Sequence, residues 1–156
     1  MPDKIRALLV CQNSDTFSTL KDALKRQRVR VAQAETCARA QRWLGGLDPA
    51  PLVFTDTQLP DGTWTDILAL AEKAARAVNV IVVAEAVNTR LYVEAIESGA
   101  FDFLAPPFDA ADLAHVVRCA LDNALARRTA RPPAEHARKA SLFADVHEAG
   151  AEIFRN

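Results

Sequence analysis

The chain has 156 residues and a mass of 17.0 kDa, room for one ordinary domain and a short appendage. Half of its residues are hydrophobic and a quarter charged, and 19 Lys+Arg stand against 20 Asp+Glu; this excludes a chain disordered throughout and offers no bulk basic field for nucleic acid. There is no apolar run near the roughly 20 residues of a membrane helix and no signal-peptide pattern, and Cys11, Cys37 and Cys119 are too scattered for a disulfide framework or a metal cluster. A reduced, cytoplasmic protein that binds neither membrane nor nucleic acid is the expectation.

Taken in order, Ile5 to Cys11 reads as a buried strand. Ser14 or Asp15 caps a helix whose apolar face holds Phe17, Leu20, Ala23 and Leu24. Val29 to Ala34 alternates, as a more exposed strand does. Thr36 opens a second helix that closes at Gly45-Gly46 before Pro49. A strand at Leu52 to Phe54 precedes a third helix marked by Ile67, Leu70 and Ala74. Val80 to Val83 is a fourth strand. Thr89 or Asn88 caps a fourth helix carrying Leu91, Ala95 and Ile96, with Gly99 as its stop. Phe101 to Leu104 is the fifth strand. Asp109 caps a fifth helix along which Leu113, Val116, Val117, Ala120, Leu121 and Leu125 recur.

Five strands alternating with five helices specify an α/β fold: a doubly wound, five-stranded parallel sheet of flavodoxin-like (βα)5 type, covered on both faces. Ligand chemistry then belongs at the carboxyl ends of the strands. The domain is expected to span residues 1–127. Arg131-Pro132-Pro133 breaks the fifth helix, so 128–133 reads as a linker. Residues 134–156 read as an amphipathic helical tail, with Leu142, Val146, Ala149 and Ile153 at helical spacing and Phe143 and Phe154 beside them. Such a tail needs a surface to bury Phe143 and Ile153 against.

The strand ends carry the informative residues. The first strand runs into Gln12-Asn13-Ser14-Asp15, the third into Thr55 to Gly62, the fourth into Ala84-Glu85-Ala86 and the fifth into Ala105-Pro106-Pro107-Phe108. Asp56, followed two residues later by Gln-Leu-Pro-Asp-Gly62, resembles the phosphoacceptor loop of two-component receiver domains. The run Glu97 to Phe108 is similar to the same family's fifth-strand signature, in which Gly-Ala leads to an aromatic and then Lys-Pro-Phe. The resemblance covers residues 5 to 127 and implies a CheY-like fold with Asp56 as candidate phosphoacceptor, Phe103 as the switch aromatic and a cis bond before Pro107.

In that family two acids after the first strand join the phosphoacceptor in holding Mg²⁺, a Thr or Ser ends the fourth strand, and a Lys precedes the proline of the fifth. The chemistry explains the set. Phosphoryl transfer to a carboxylate needs cationic neutralisation of the equatorial oxygens, and Mg²⁺ prefers hard oxygen ligands in near-octahedral geometry. Carried onto this sequence, the acid pair falls on Gln12 and Asn13, the hydroxyl on Ala84 and the lysine on Pro106. Asp56 alone remains. Neutral amides forfeit most of the Coulomb attraction for a dication, so no cofactor is expected, with Mg²⁺ at best weakly bound. The pattern is that of a degenerate, or pseudo-, receiver.

Rival readings fit less well. The hydroxyl-rich Asn13 to Thr19 segment lacks the glycine of a phosphate cradle, and Asp15 would repel a flavin phosphate. Phosphatases with an aspartyl nucleophile need a second acid two residues on, where this chain has Gln58. His115, His136 and His147 lack a second ligand at a useful spacing. Cys11 reads as a small core residue and Cys119 as a helix position facing the sheet, while Trp43 and Trp64 do not make a base-stacking platform. About thirty residues after the receiver are too few for a DNA-binding domain.

The expected function is therefore non-enzymatic. It is a stand-alone signalling receiver of a phosphorelay, acting by protein–protein contact with little or no Mg²⁺-dependent phosphorylation. The alternative is a phosphorylation-competent single-domain response regulator, modified at Asp56 by a histidine kinase. Expected partners are a histidine kinase or another signalling protein, or a second copy of the chain. The expected contact surface is the face of the fourth helix, fifth strand and fifth helix, with Arg90, Glu94, Asp102 and Arg118; Phe143 and Ile153 of the tail are separate interface candidates, to be covered by the chain's own receiver, a second copy or another protein.

Overall fold

Strands form where β-branched and leucine residues run uninterrupted, and helices where apolar residues recur every three or four positions behind a capping side chain. The computed structural model of the chain describes residues 5–130. In chain order its elements are β1 (Ile5–Val10), α1 (Asp15–Arg26), β2 (Val29–Ala34), α2 (Cys37–Leu44), β3 (Leu52–Asp56), β4 (Gln58–Leu59), β5 (Gly62–Thr63), α3 (Trp64–Glu72), β6 (Asn79–Val83), α4 (Thr89–Glu97), β7 (Asp102–Leu104) and α5 (Ala110–Ala130). Five strands make one sheet in the order β2-β1-β3-β6-β7, every neighbouring pair parallel. The winding reverses between β1 and β3, which makes their carboxyl ends the switch point where such folds place ligands.

Alternation along β1 builds both layers. Ala7, Leu9 and Cys11 join Phe17, Leu20 and Leu24 of α1 and Leu113, Val117 and Ala120 of α5 on one face. Leu8 and Val10 join Ala40 and Leu44 of α2 and Ile67 and Ala71 of α3 on the other. Phe54 at the centre is fully buried, and truncating such a side chain to alanine typically costs about 3–5 kcal/mol. Asn79 is a buried polar residue whose Nδ2 donates to the Ala120 carbonyl at 2.8 Å and to Asn123 Oδ1 at 3.0 Å, tying β6 to α5.

The caps are where the sequence places them. Ser14 Oγ accepts from the Phe17 N–H, Thr36 Oγ1 from Arg39, Asn88 Oδ1 from Leu91 and Asp109 Oδ2 from Asp112. At the end of α4, Gly99 has φ +112°, its N–H reaches the Ile96 carbonyl, and the Ala100 N–H reaches that of Ala95. This left-handed close satisfies carbonyls that the helix end leaves unpaired.

Four expectations change. The inward stripe of α5 is Leu113, Val116, Val117, Ala120 and Ala124, whereas Leu125 is 45% exposed. Cys119 lies on the outer flank, half-buried, rather than facing the sheet, because its position is rotated well away from that stripe. Helix α5 runs to Ala130, three residues into the expected 128–133 linker, since nothing before Pro132 interrupts it. The fifth strand begins at Asp102, leaving Phe101 outside it, and the two-residue pair β4–β5 is an antiparallel addition. The tail at 134–156, with Phe143 and Ile153, lies outside the described residues, among which no helix is long and apolar enough to cross a membrane.

Candidate functional site

Asp56 is the last residue of β3, at the switch point. Val10 of β1 pairs with Thr55, so one step further Cys11 is the residue beside Asp56; on the other side Asp56 pairs with Val83 of β6. The Asp56 carboxylate is partly exposed. Its Oδ1 accepts from the Thr57 N–H at 2.7 Å and lies 3.5 Å from Thr57 Oγ1. The Trp64 N–H closes the loop onto the Thr57 carbonyl at 3.3 Å.

The residues that follow the two neighbouring strands, Cys11 and Ala84, are uncharged. Cys11 is 1% exposed. Burial first, and then the neighbouring Asp56 charge, push its thiol up to about 12 against the opposing pull of Lys21, so it is protonated at neutral pH. Gln12 and Asn13 follow it as exposed residues, and Asn13 borders a small cleft with Ser14, Ser18, Lys21 and Gln33. Ala84 is buried, and its N–H donates to the Leu104 carbonyl at 2.9 Å. The Pro106–Pro107 bond is cis, as the resemblance implies. Among the described residues no group of three or more His, Cys, Asp or Glu side chains converges on a point where a metal ion would sit.

The loop after β3 is tightly bonded. Asp61 accepts from the backbone N–H groups of Cys37 (2.7 Å) and Ala38 (3.1 Å), and so caps α2 from a segment 24 residues downstream. These backbone bonds hold the Asp61 carboxyl below the usual aspartate range. Burial and the Asp61 charge push the Cys37 thiol up to about 11. The Thr63 N–H donates to Asp66 at 2.9 Å in a capping box that starts α3. Gly62 lies between these features: a Cβ there would meet Asp66 Oδ2 at 2.5 Å and Cys37 Sγ at 2.8 Å.

Phe103 is half-buried against Trp64, Val82, Ala95 and Ala100, with its ring edge-on to Tyr92 at a centroid distance of 5.9 Å. On the α4–β7–α5 face, Arg90, Glu94 and Arg118 are exposed, and Asp102 accepts from the Phe103 N–H at 2.7 Å. Sequence reasoning selected the charges on this face and missed its apolar part, Tyr92, Val93 and Ile96, all substantially exposed. It also missed Cys11 as the neighbour of Asp56 and Asp61 as the cap of α2. Cys11 was legible as a strand residue; its pairing was not.

The five-stranded parallel sheet carries an aspartate at the end of its central strand, the arrangement found in receiver-type signalling modules. The family model for the response regulator receiver domain matches residues 7–118, and the chain belongs to that family. Over 132 residues it is 29% identical to the response regulator protein PilR of Pseudomonas aeruginosa, covering 85% of this chain and 28% of that protein. Over 115 residues it is 31% identical to the DNA-binding transcriptional regulator NtrC of Rhizobium meliloti, covering 73% and 24%. The chain thus spans about a quarter of the length of these relatives. Among solved structures, the signal receiver domain of a putative LuxO repressor protein from Vibrio parahaemolyticus superposes with a TM-score of 0.66 and 28% identity, over 78% of this chain and 92% of that one. Receiver domains are signalling modules of two-component systems.

Proposed function

We propose that this receiver signals in the cytoplasm through protein–protein contact, with little or no Mg²⁺-dependent phosphorylation at Asp56. One observation carries the reading: the strands on either side of Asp56 run into a protonated buried thiol, Cys11, and a buried alanine, Ala84. A dication at this carboxylate would meet one negative charge where phosphoryl transfer needs several oxygen ligands. Gln12 and Asn13 offer neutral amides from exposed positions, and no ammonium stands at Pro106 to hold a phosphoryl oxygen. The donor set therefore does not fit Mg²⁺.

Phosphorylation by a histidine kinase is the second reading. It is favoured by the partial exposure of Asp56, whose carboxylate accepts its two hydrogen bonds from the described residues on Oδ1. Incubation with acetyl phosphate and Mg²⁺, read by intact mass, separates the two. The proposed function predicts no phosphoryl adduct, and prompt labelling that Asp56→Asn abolishes would establish the second.

The output surface in this account is the α4–β7–α5 face. Exposed Tyr92, Val93 and Ile96 supply apolar area, and Arg90, Glu94, Asp102 and Arg118 supply a charged rim. A histidine kinase, another signalling protein or a second copy is the kind of partner it suits. Reversing Arg118 to Glu is expected to weaken association severalfold in sedimentation or pull-down; unchanged association would move the output surface elsewhere.

A further inference from the structure

A cavity that the Asp56 site does not use lies at the opposite, amino-terminal end of the strands. It has a volume of about 360 Å³ and is lined by Arg6, Leu8, Arg30, Ala32, Trp43 and Leu44, among others. Small-molecule sites commonly have volumes of about 300–1,000 Å³ and mostly apolar walls with a few polar groups. The space has a sequence cause. Ala32 pairs in register with Leu8 and carries only a methyl, and α2 stops at Leu44 before Gly45-Gly46. Trp43, on the last turn of α2, borders the cavity with about half of its surface exposed.

The charges at the mouth are unbalanced. Arg6 and Arg30 are register partners on β1 and β2, and like charges placed side by side on neighbouring strands destabilise a sheet. Arg6 is compensated. Its Nη2 lies 3.3 Å from Asp48 Oδ2, and its Nη1 donates to the Asp48 carbonyl at 3.1 Å. Asp48 Oδ1 is engaged as well, by Arg76 Nη1 at 3.2 Å. Arg30 is exposed and makes no hydrogen bond or ion pair with any described residue. One carboxylate thus answers two guanidinium groups, and a third stands unanswered at the cavity.

We propose that this cavity binds a small planar aromatic carboxylate, with its ring against Trp43 and the apolar wall and its carboxylate on Arg30. The guanidinium fork matches a carboxylate in two parallel hydrogen bonds, and the indole offers a flat apolar partner for a ring. One unanswered guanidinium balances one negative charge. A phosphate group, with about two, would leave charge facing Asp48. The cavity and Asp56 occupy opposite ends of the sheet, so the site stands whether or not Asp56 is phosphorylated.

The test uses the full chain with 2-naphthoate as probe, followed by calorimetry and by NMR of the Trp43 indole N–H, assigned with Trp43→Phe. Expected is saturable one-to-one binding that shifts this signal and the amides of Val31 and Ala32. The neutral analogue 2-naphthamide should bind about tenfold more weakly, the loss of one charge-assisted pair. Arg30→Gln, at an exposed position, should lower naphthoate to the level of the amide and leave the amide unchanged. Trp43→Ala, also exposed, should weaken both compounds. Arg90→Gln, on α4, should alter neither. Absence of saturable binding, equal affinity for the two compounds, naphthoate binding unchanged in Arg30→Gln or lost in Arg90→Gln, or tighter binding of 2-naphthyl phosphate than of naphthoate would each overturn the proposal.

Discussion

Two regions border Asp56 and are built on different principles. The loop from Thr57 to Thr63 is dense with internal bonds: Asp61 caps α2, Gly62 leaves space for Asp66 and Cys37, and Thr63 starts α3. The ends of β1 and β6 instead present Cys11 and Ala84, which are buried and uncharged. The residues that resemble the family's phosphoacceptor loop fill the first region, and the proposed function rests on the uncharged residues of the second. The contrast teaches that Asp61 and Gly62 have work in the fold, so their presence next to Asp56 is not evidence of phosphoryl chemistry. Charge at the neighbouring strand ends is the informative feature.

The sharpest way to break this comparison is to put charge where packing now rules. Cys11→Asp places a carboxylate at a buried position beside Asp56, and an uncompensated buried charge costs about 3–5 kcal/mol. A urea melt should show a large loss of stability, part of it recovered by millimolar Mg²⁺ as a cation fills the new acidic pair. A variant as stable as the native chain without Mg²⁺ would mean the site is far wetter than described.

The loop side is probed by Gly62→Val. Its Cβ would meet the side-chain tips of Asp66 and Cys37 within 3 Å, so the capping box and the α2 contact must shift. Overpacking of this kind costs about 1–3 kcal/mol, read as a lower urea midpoint. Native stability in this variant would show that Gly62 is not retained for space.

A smaller effect is expected at Asp61, which is exposed. Its carboxyl is depressed in the folded chain by the Cys37 and Ala38 N–H groups, so its stabilisation is present above the ordinary aspartate value of about 3.9 and fades as pH falls through the folded value. Asp61→Ala should melt slightly below the native chain at pH 7, and the two should converge in acid. A gap that widens on acidification would contradict the capping role.

Much of the frame was legible because its signals are local. Ser14, Thr36, Asn88, Asp109 and Gly99 mark helix ends within a few residues of the bonds they make. The site was legible to the level of Asp56. Its neighbour on β1 was not, because that depends on the register between β1 and β3, segments more than 40 residues apart. A one-residue difference there separates buried Cys11 from the exposed Gln12 and Asn13 to which the acid pair was assigned. Asp61 escaped notice for the same reason: the N–H groups it caps are 24 and 23 residues away. The rotation of α5 was blurred by leucines at 121 and 125 that lie outside its buried stripe.

The most direct test places the native chain beside a repaired one, with Cys11→Asp, Gln12→Asp, Ala84→Thr and Pro106→Lys together, and follows acetyl phosphate labelling in Mg²⁺ by intact mass. The intact loop and sheet should let the repaired chain gain an adduct that Asp56→Asn removes, while the native chain stays unlabelled over the same time. Equal labelling of the two chains would contradict the account.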